Sequence, residues 1–169
     1  MGAIVDAGLT SLEVKLGYAL ESTAGTKPAA FTWLERCDNI GGVSLSTNQI
    51  DVSAIEDLVT RYKKGRQDTG GTWSVGFNVN DEVITQLQTM INAYKNRADK
   101  TKKMWFEVYH PEMTNGFFVV AEPPEYIPTP ETAQNEKWTV TLEFIIEEYK
   151  GTDTAIEPAA ASKGILPAR

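Results

Sequence analysis

The chain has 169 residues, of which 41% are hydrophobic and 23% are charged, proportions that are ordinary for one globular domain with its own core. Its formal net charge of −7 argues against non-specific binding to DNA, RNA or anionic membranes, because such binding needs a basic surface. The single cysteine, Cys37, excludes an intramolecular disulfide and mildly favours a reducing compartment.

No targeting or membrane-spanning segment is expected. Residues 1–9 contain neither the positive region nor the apolar run of a signal peptide. No apolar run approaches the roughly 18 residues that indicate a transmembrane helix. We divide the chain into a patternless N-terminal arm (1–10), a domain (11–150) and a C-terminal arm (151–169) rich in Ala, Gly and Pro.

The domain is expected to begin with a strand. Apolar and polar residues alternate from Leu12 to Leu20, which is the two-residue period of a half-buried strand. Turn-forming residues occupy 22–28. A short second strand then begins at Phe31 and ends by Asn39.

The next stretch combines two predicted strands, Gly42–Ile50 and Thr72–Val79, with a loop over 51–71. Loops longer than about 12 to 15 residues are uncommon in compact domains unless they are functional or disordered. We therefore expect the loop to contact a partner. Its basic run is compatible with nucleic-acid binding, with a solvated loop or with docking onto an acidic surface of another copy, and the net charge favours the last two. The run comprises Arg61, Tyr62, Lys63, Lys64 and Arg66.

One helix is predicted, over residues 81–97. Asn80 is a favourable N-cap, Asp81 and Glu82 lie in the first turn where the helix dipole favours negative charge, and lysines crowd the far end. Three strands follow, over Met104–His110, Phe117–Glu122 and Glu136–Tyr149, and the first of these is expected to be covered on both faces.

The predicted order is therefore β-β-β-β-α-β-β-β, a mainly β chain. It indicates an antiparallel sandwich or barrel with a single flanking helix.

No catalytic, cofactor-binding or metal site is predicted. His110 is the only histidine and has no nucleophile motif, so a structural or exposed role is favoured. Cys37 lacks a CxxC partner and is expected to be a half-buried structural thiol. Metal-ligand spacings and phosphate-binding glycine loops are absent from the sequence. Glu107 and Glu143 could form a glycosidase pair, but with 23 acidic residues a chance pair is expected.

Small polar residues recur on one face of several predicted strands. They form either an ordinary solvent face or the lining of a wet channel to which a phosphate backbone would not adhere. The candidate lining residues are Ser44, Ser46, Asn48, Ser74, Asn78, Thr139, Thr141, Glu143 and Glu147.

The order and character of these segments resemble the major tail tube proteins of long-tailed bacteriophages. The likeness covers about residues 10–150 and lies in no diagnostic short motif. It is carried by the strand Leu12–Leu20, the entry Gly41–Leu45, the loop closure Gly70–Val75, the helix after Asn80 and the strand Trp138–Phe144.

The resemblance implies hexameric rings that stack into a tube around a continuous inner β-barrel. The helix would pack outside, the long loop would reach between rings, and the arms would add contacts. DNA would pass through an electronegative lumen without specific binding. The implied partners are further copies of the chain, a tape measure protein and tail terminator or baseplate proteins. The implied location is the virion tail, after synthesis in the host bacterial cytoplasm.

Two other readings remain open. The tube proteins of contractile injection systems share the fold and would need a sheath partner. A monomeric β-sandwich module could instead bind carbohydrate through an exposed Trp33 or Trp105, whereas Trp73 and Trp138 fit core positions.

Overall fold

The computed structural model describes residues 8–158, so parts of both predicted arms, 1–7 and 159–169, lie outside the described residues. Within that range the chain is mainly β, with nine strands and one helix, as the predicted fold class requires. The helix α1 spans Asp81–Lys95. The strands are β1 (Lys15–Leu20), β2 (Thr32–Leu34), β3 (Cys37–Ile40), β4 (Ser46–Asp51), β5 (Tyr62–Asp68), β6 (Thr72–Asn78), β7 (Met104–Tyr109), β8 (Asn115–Glu122) and β9 (Thr139–Thr154).

Seven strands form one antiparallel sheet in the order β2-β1-β7-β8-β9-β6-β3, and β4 pairs only with β5. Alternation along β9 turns Val140, Leu142, Phe144 and Ile146 into the core, as predicted. Trp138 precedes the strand and is 52% exposed, so its predicted core position is wrong.

The core lies between one face of the sheet and α1. Rings of Trp73, Phe106 and Phe144, from three different strands, meet with centroids 4.8 to 5.6 Å apart. Such tilted and edge-to-face contacts are favourable beyond the area they bury. The helix covers them with one apolar face, which comprises Val83, Leu87, Met90 and Ile91.

The helix begins where its sequence predicts. The side chain of Asn80 accepts a hydrogen bond from the Val83 amide at 2.8 Å and thereby satisfies one of the unpaired first-turn donors. Asp81 and Glu82 occupy the first turn and Lys95 the last, which suits the helix dipole.

The sheet curls until its two edges approach each other. β2 and β3 are the edge strands, yet only Glu35 and Arg36 separate them in sequence, a link that spans at most about 11 Å. Arg36 adopts a left-handed backbone conformation (φ 58°) at this corner, and its carbonyl accepts the Asn78 amide at 2.9 Å. No strand pairing among residues 8–158 joins β2 to β3, so the expected barrel is not closed within one described chain.

The predicted loop over 51–71 is largely a β-hairpin. β5 occupies Tyr62–Asp68 and pairs antiparallel with β4, so only residues 52–61 connect the two strands. The sequence concealed β5 because six of its seven residues are exposed and none forms an apolar face. β3 was likewise merged with β2 in the prediction, which explains nine observed strands in place of seven.

The strand β7 is buried on both faces, as predicted. Met104 and Phe106 belong to the main core, while Trp105 packs on the opposite, outer face with Phe118 and Val120.

Side-chain truncations on the two faces of β9 should differ in their effect on stability. Phe144→Ala removes a fully buried ring and should lower the free energy of unfolding by about 3 to 5 kcal/mol. Ile145→Ala, at a neighbouring position that is 60% exposed, should cost less than about 1 kcal/mol. Urea denaturation of the dilute protein measures both, and equal losses would contradict the assigned register.

Candidate assembly interface

The hairpin formed by β4 and β5 stands apart from the main sheet, because neither strand pairs with any other strand in the described residues. Its root is fixed by two hydrogen bonds: Trp73 Nε1 donates to the Gly41 carbonyl at 2.6 Å, and the Gly41 amide donates to the Ser74 carbonyl at 2.8 Å. Gly70 and Gly71 adopt positive φ at the return to β6, a conformation that glycine adopts without strain. The hairpin therefore projects from a well-anchored base.

The predicted basic run lies on this hairpin and is exposed. Arg61 is within 3.6 Å of the Asp57 carboxylate. Lys63, Lys64 and Arg66 make no ion pair within residues 8–158, so their charge is available to a partner. Tyr62 opens β5 opposite Asp51.

The hairpin tip, residues 52–61, carries apolar side chains that the domain does not cover. Ile55 and Leu58 are fully exposed and Val59 is 73% exposed. Local hydrogen bonds hold the tip, including Arg61 N to Ser53 Oγ at 2.7 Å and Ala54 N to Asp57 Oδ2 at 2.8 Å. Several large apolar side chains exposed within one short segment are typical of an interaction surface.

The candidate lining residues fall into separate groups. Ser74, Thr141 and Glu143 lie together on the exposed outer face of β6 and β9, where Ser74 pairs with Glu143 and Gly76 with Thr141. Asn78 and Thr139 pair at the far end of the same ladder and are half-buried. The remaining residues are elsewhere: Ser44 precedes β4, Ser46 and Asn48 lie on the hairpin, and Glu147 lies at an irregularity in β9.

The carboxylate of Glu147 has a structural environment. It lies 3.0 Å from Lys103 Nζ and is hydrogen-bonded to the Glu122 carboxyl. Burial opposes its ionisation, but hydrogen bonds from Glu122 and Lys103 outweigh burial and lower the pKa of Glu147. The hydrogen bond to Glu147, together with burial, raises the pKa of Glu122.

The residues considered for chemistry occupy structural positions. His110 Nε2 is 2.9 Å from the Thr10 carbonyl, and its Nδ1 accepts the Glu112 amide at 3.1 Å. Cys37 is half-buried, and burial raises the pKa of its thiol to about 12, so the thiolate nucleophile is scarce at neutral pH.

The register also separates the two carboxylates of the suggested glycosidase pair. Glu107 on β7 pairs with Phe118 on β8, and Phe118 pairs in turn with Gly151 on β9. Glu143 is eight positions from Gly151 along β9, about 25 Å for an extended strand. Glycosidase carboxylates lie about 5 to 10 Å apart, so this pair cannot act together within one chain.

Among residues 8–158 no group of three or more His, Cys, Asp or Glu side chains is placed to hold a metal ion. Over the same range, no helix is both long enough and apolar enough to cross a membrane.

No protein-family model matches the sequence, and no curated protein matches it. Solved structures do match the fold. One is the tail of an empty gene transfer agent particle, refined with C6 symmetry, at a TM-score of 0.54 and 11% identity over 88% of this chain and 99% of that one. Another is a six-fold symmetrised anti-feeding prophage baseplate, at 0.50 and 10% identity over 91% and 100%.

The chain therefore shares its fold with a protein of that tail and a protein of that baseplate. At these identities the likeness extends to the fold alone. It nevertheless covers nearly the whole of both neighbouring chains, so the shared architecture is not limited to a few strands.

The sequence prediction placed the apolar tip inside the loop expected to contact a partner, but it did not name Ile55, Leu58 or Val59 as contact residues. Ile55, Leu58 and Val59 follow no strand period, and their spacing suggests a weak helical face. Their meaning emerges only once the hairpin is seen to place them far from the core.

Proposed function

We propose that this protein is the tube protein of a phage tail or phage-tail-like particle, and that copies of it form six-membered rings that stack into a tube. The observation that carries the proposal is the projecting hairpin with an uncovered apolar tip, on a fold shared with components of two six-fold particles. The proposal assigns a structural role and no catalysis.

Burial of the tip supplies a driving force for assembly. Each large apolar side chain that moves from water into a contact contributes about 1.5 to 3 kcal/mol, and Ile55, Leu58 and Val59 are all available. The contact joins a projecting hairpin on one copy to a different surface on the next. Contacts of this head-to-tail kind generate open filaments when they do not close into a ring.

The charge distribution supports the same arrangement. Lys63, Lys64 and Arg66 lie exposed on β5 of a chain whose formal net charge is −7, so this strand presents a locally basic surface to a predominantly acidic neighbour. We propose that these residues, with Arg61 and Tyr62, contact acidic groups of the adjacent ring. Exposed charges of this kind act mainly on orientation and association rate.

The outer face of β6 and β9 is the proposed lumen lining. Its exposed residues include the hydroxyls of Ser74 and Thr141, the carboxylate of Glu143 and the apolar side chain of Ile145. Such a surface offers no cation for a phosphate backbone to bind, so DNA can slide past it. Asn78 and Thr139 extend this face, whereas Ser44, Ser46, Asn48 and Glu147 would line the tube only through the packing of neighbouring copies.

The remaining assignments follow from the tube role. We propose the virion tail as the site of function, after synthesis in the bacterial host. Further proposed partners are a tape measure protein inside the tube and a terminator or baseplate protein at its ends. A tube within a contractile injection system is the second candidate, which the baseplate neighbour favours, and co-purification of a sheath protein would distinguish it. A carbohydrate-binding module is disfavoured because Trp105 is buried and Trp33 packs against Tyr109 at 5.5 Å.

Reversal of the hairpin charge should weaken assembly. Lys63→Glu with Lys64→Glu places two carboxylates against an acidic neighbour, and we expect at least a tenfold higher concentration for tube formation. The matched control, Lys100→Glu with Lys102→Glu, makes the same change of net charge outside the hairpin and should assemble like the parent. Sedimentation velocity over a concentration series measures both, and equal behaviour of the two variants would refute the hairpin contact.

Charge reversal in the proposed lumen lining should leave tube assembly intact and reduce DNA delivery. Glu143→Lys adds a cation to an exposed face, so tubes should form normally while DNA delivery by assembled particles drops. Glu147→Lys is the contrasting variant, since it breaks the pair with Lys103 and should instead lower thermal stability. Electron microscopy and a transduction assay give the two readouts, and loss of tubes in Glu143→Lys would overturn the lining assignment.

A further inference from the structure

The outer face of β7 and β8 is covered by two non-sheet segments. One is the loop of residues 22–31, from which Phe31 packs on Trp105, Phe118 and Val120. The other is the C-terminal segment, residues 155–158, which follows β9 directly. Its Ala155 amide donates to the Thr114 carbonyl at 3.1 Å.

A carboxyl group is buried beneath the C-terminal segment. Glu107 is fully buried, and its Oε1 accepts the Ile156 amide at 2.9 Å. Its Oε2 has no hydrogen-bond partner among the described residues. Gly116 provides the room for this carboxyl, because a Cβ at that position would lie 2.6 Å from Oε1. The segment is therefore attached through the amides of Ala155 and Ile156, and the second of these bonds an ionisable group that is held away from water.

Neighbouring charges compensate little of the negative charge that Glu107 carries when it is ionised. Lys27 is the cation whose charge favours ionisation of Glu107, but its Nζ donates to Asp153 Oδ2 at 3.1 Å and to the Thr154 carbonyl at 2.7 Å. Nζ also lies 4.1 Å from the Phe118 ring centroid. The other titratable groups around this face are Glu157 on the segment, Tyr109 on β7 and Lys15 on β1, which pairs with Tyr109. On β9, Lys150 lies 5.4 Å from the Trp105 ring centroid and pairs with Glu148 at 2.8 Å. The nearby residues of β8, Gly116 and Phe118, carry no titratable group.

Ionisation and burial of this carboxyl oppose each other. Burial raises the pKa of Glu107 to about 7 from an ordinary value of 4.5, against smaller opposing effects of the Ile156 amide and Lys27. A group that binds its proton more tightly in the closed state stabilises that state fully below its ordinary pKa. This stabilisation is lost as the pH rises towards 7 and changes no further above it.

We propose that Glu107 is a pH-sensitive latch: when protonated it holds residues 155–158 against the outer face of β7 and β8, and when ionised it favours the lifting of that segment into water. Residues 159–169 follow this segment in sequence, so the latch determines whether the position at which they begin is held against the domain. It does not depend on the proposed tube function, because every group in it belongs to one copy.

Hydrogen exchange of the intact protein tests the latch. We expect the opening of residues 155–157, after correction for intrinsic exchange rates, to increase about thirtyfold between pH 5.5 and pH 8.5, with most of the increase below pH 7. The amides of α1 provide the internal reference and should show no such change. If the segment and α1 follow the same pH profile in the parent protein, the latch is refuted without any variant.

The variant Glu107→Gln provides a second test of the latch. The amide side chain keeps an acceptor for the Ile156 amide but cannot ionise, so opening of residues 155–157 should change less than about threefold over the same pH range. Circular dichroism establishes that the variant is folded. A pH profile in the folded variant that parallels the parent would assign the effect to another group and overturn the proposal.

Discussion

The structure depends on the pairing of β6 with β9. That register places Trp73 opposite Phe144 on the core face and Ser74 opposite Glu143 on the outer face. Because side chains alternate with a period of two, a slip of one residue would exchange these sets and bring a carboxylate into the core. One ladder thus fixes both the aromatic centre of the fold and the polar surface that we propose faces the lumen.

The same ladder anchors the hairpin. Trp73 holds the Gly41 carbonyl through its indole N–H while its ring packs in the core. The chain therefore leaves and re-enters the sheet at a rigid point, and the apolar tip is carried away from the body. A domain that keeps Ile55 and Leu58 wholly in water forgoes their burial within one copy, and this makes the hairpin the natural place to seek a second copy.

The sequence predicted those elements whose residues carry a periodic apolar face. The alternation in β9 and the capped amphipathic helix after Asn80 are both observed. β5 escaped prediction because its stability comes from backbone pairing with β4 and its side chains are polar. The burial of Glu107 agrees with the expectation that β7 is covered on both faces, but no sequence pattern showed that the C-terminal segment contributes this cover through the Ile156 amide.

Electron microscopy of the purified protein over a concentration series tests the central claim most directly. Self-assembly through the hairpin predicts rings or tubes with a central hole and six-fold averages at high concentration. It predicts their absence in a variant with Ile55→Ser and Leu58→Ser under the same conditions. A protein that stays monomeric at every concentration, or a tip variant that forms the same tubes as the parent, would contradict the account.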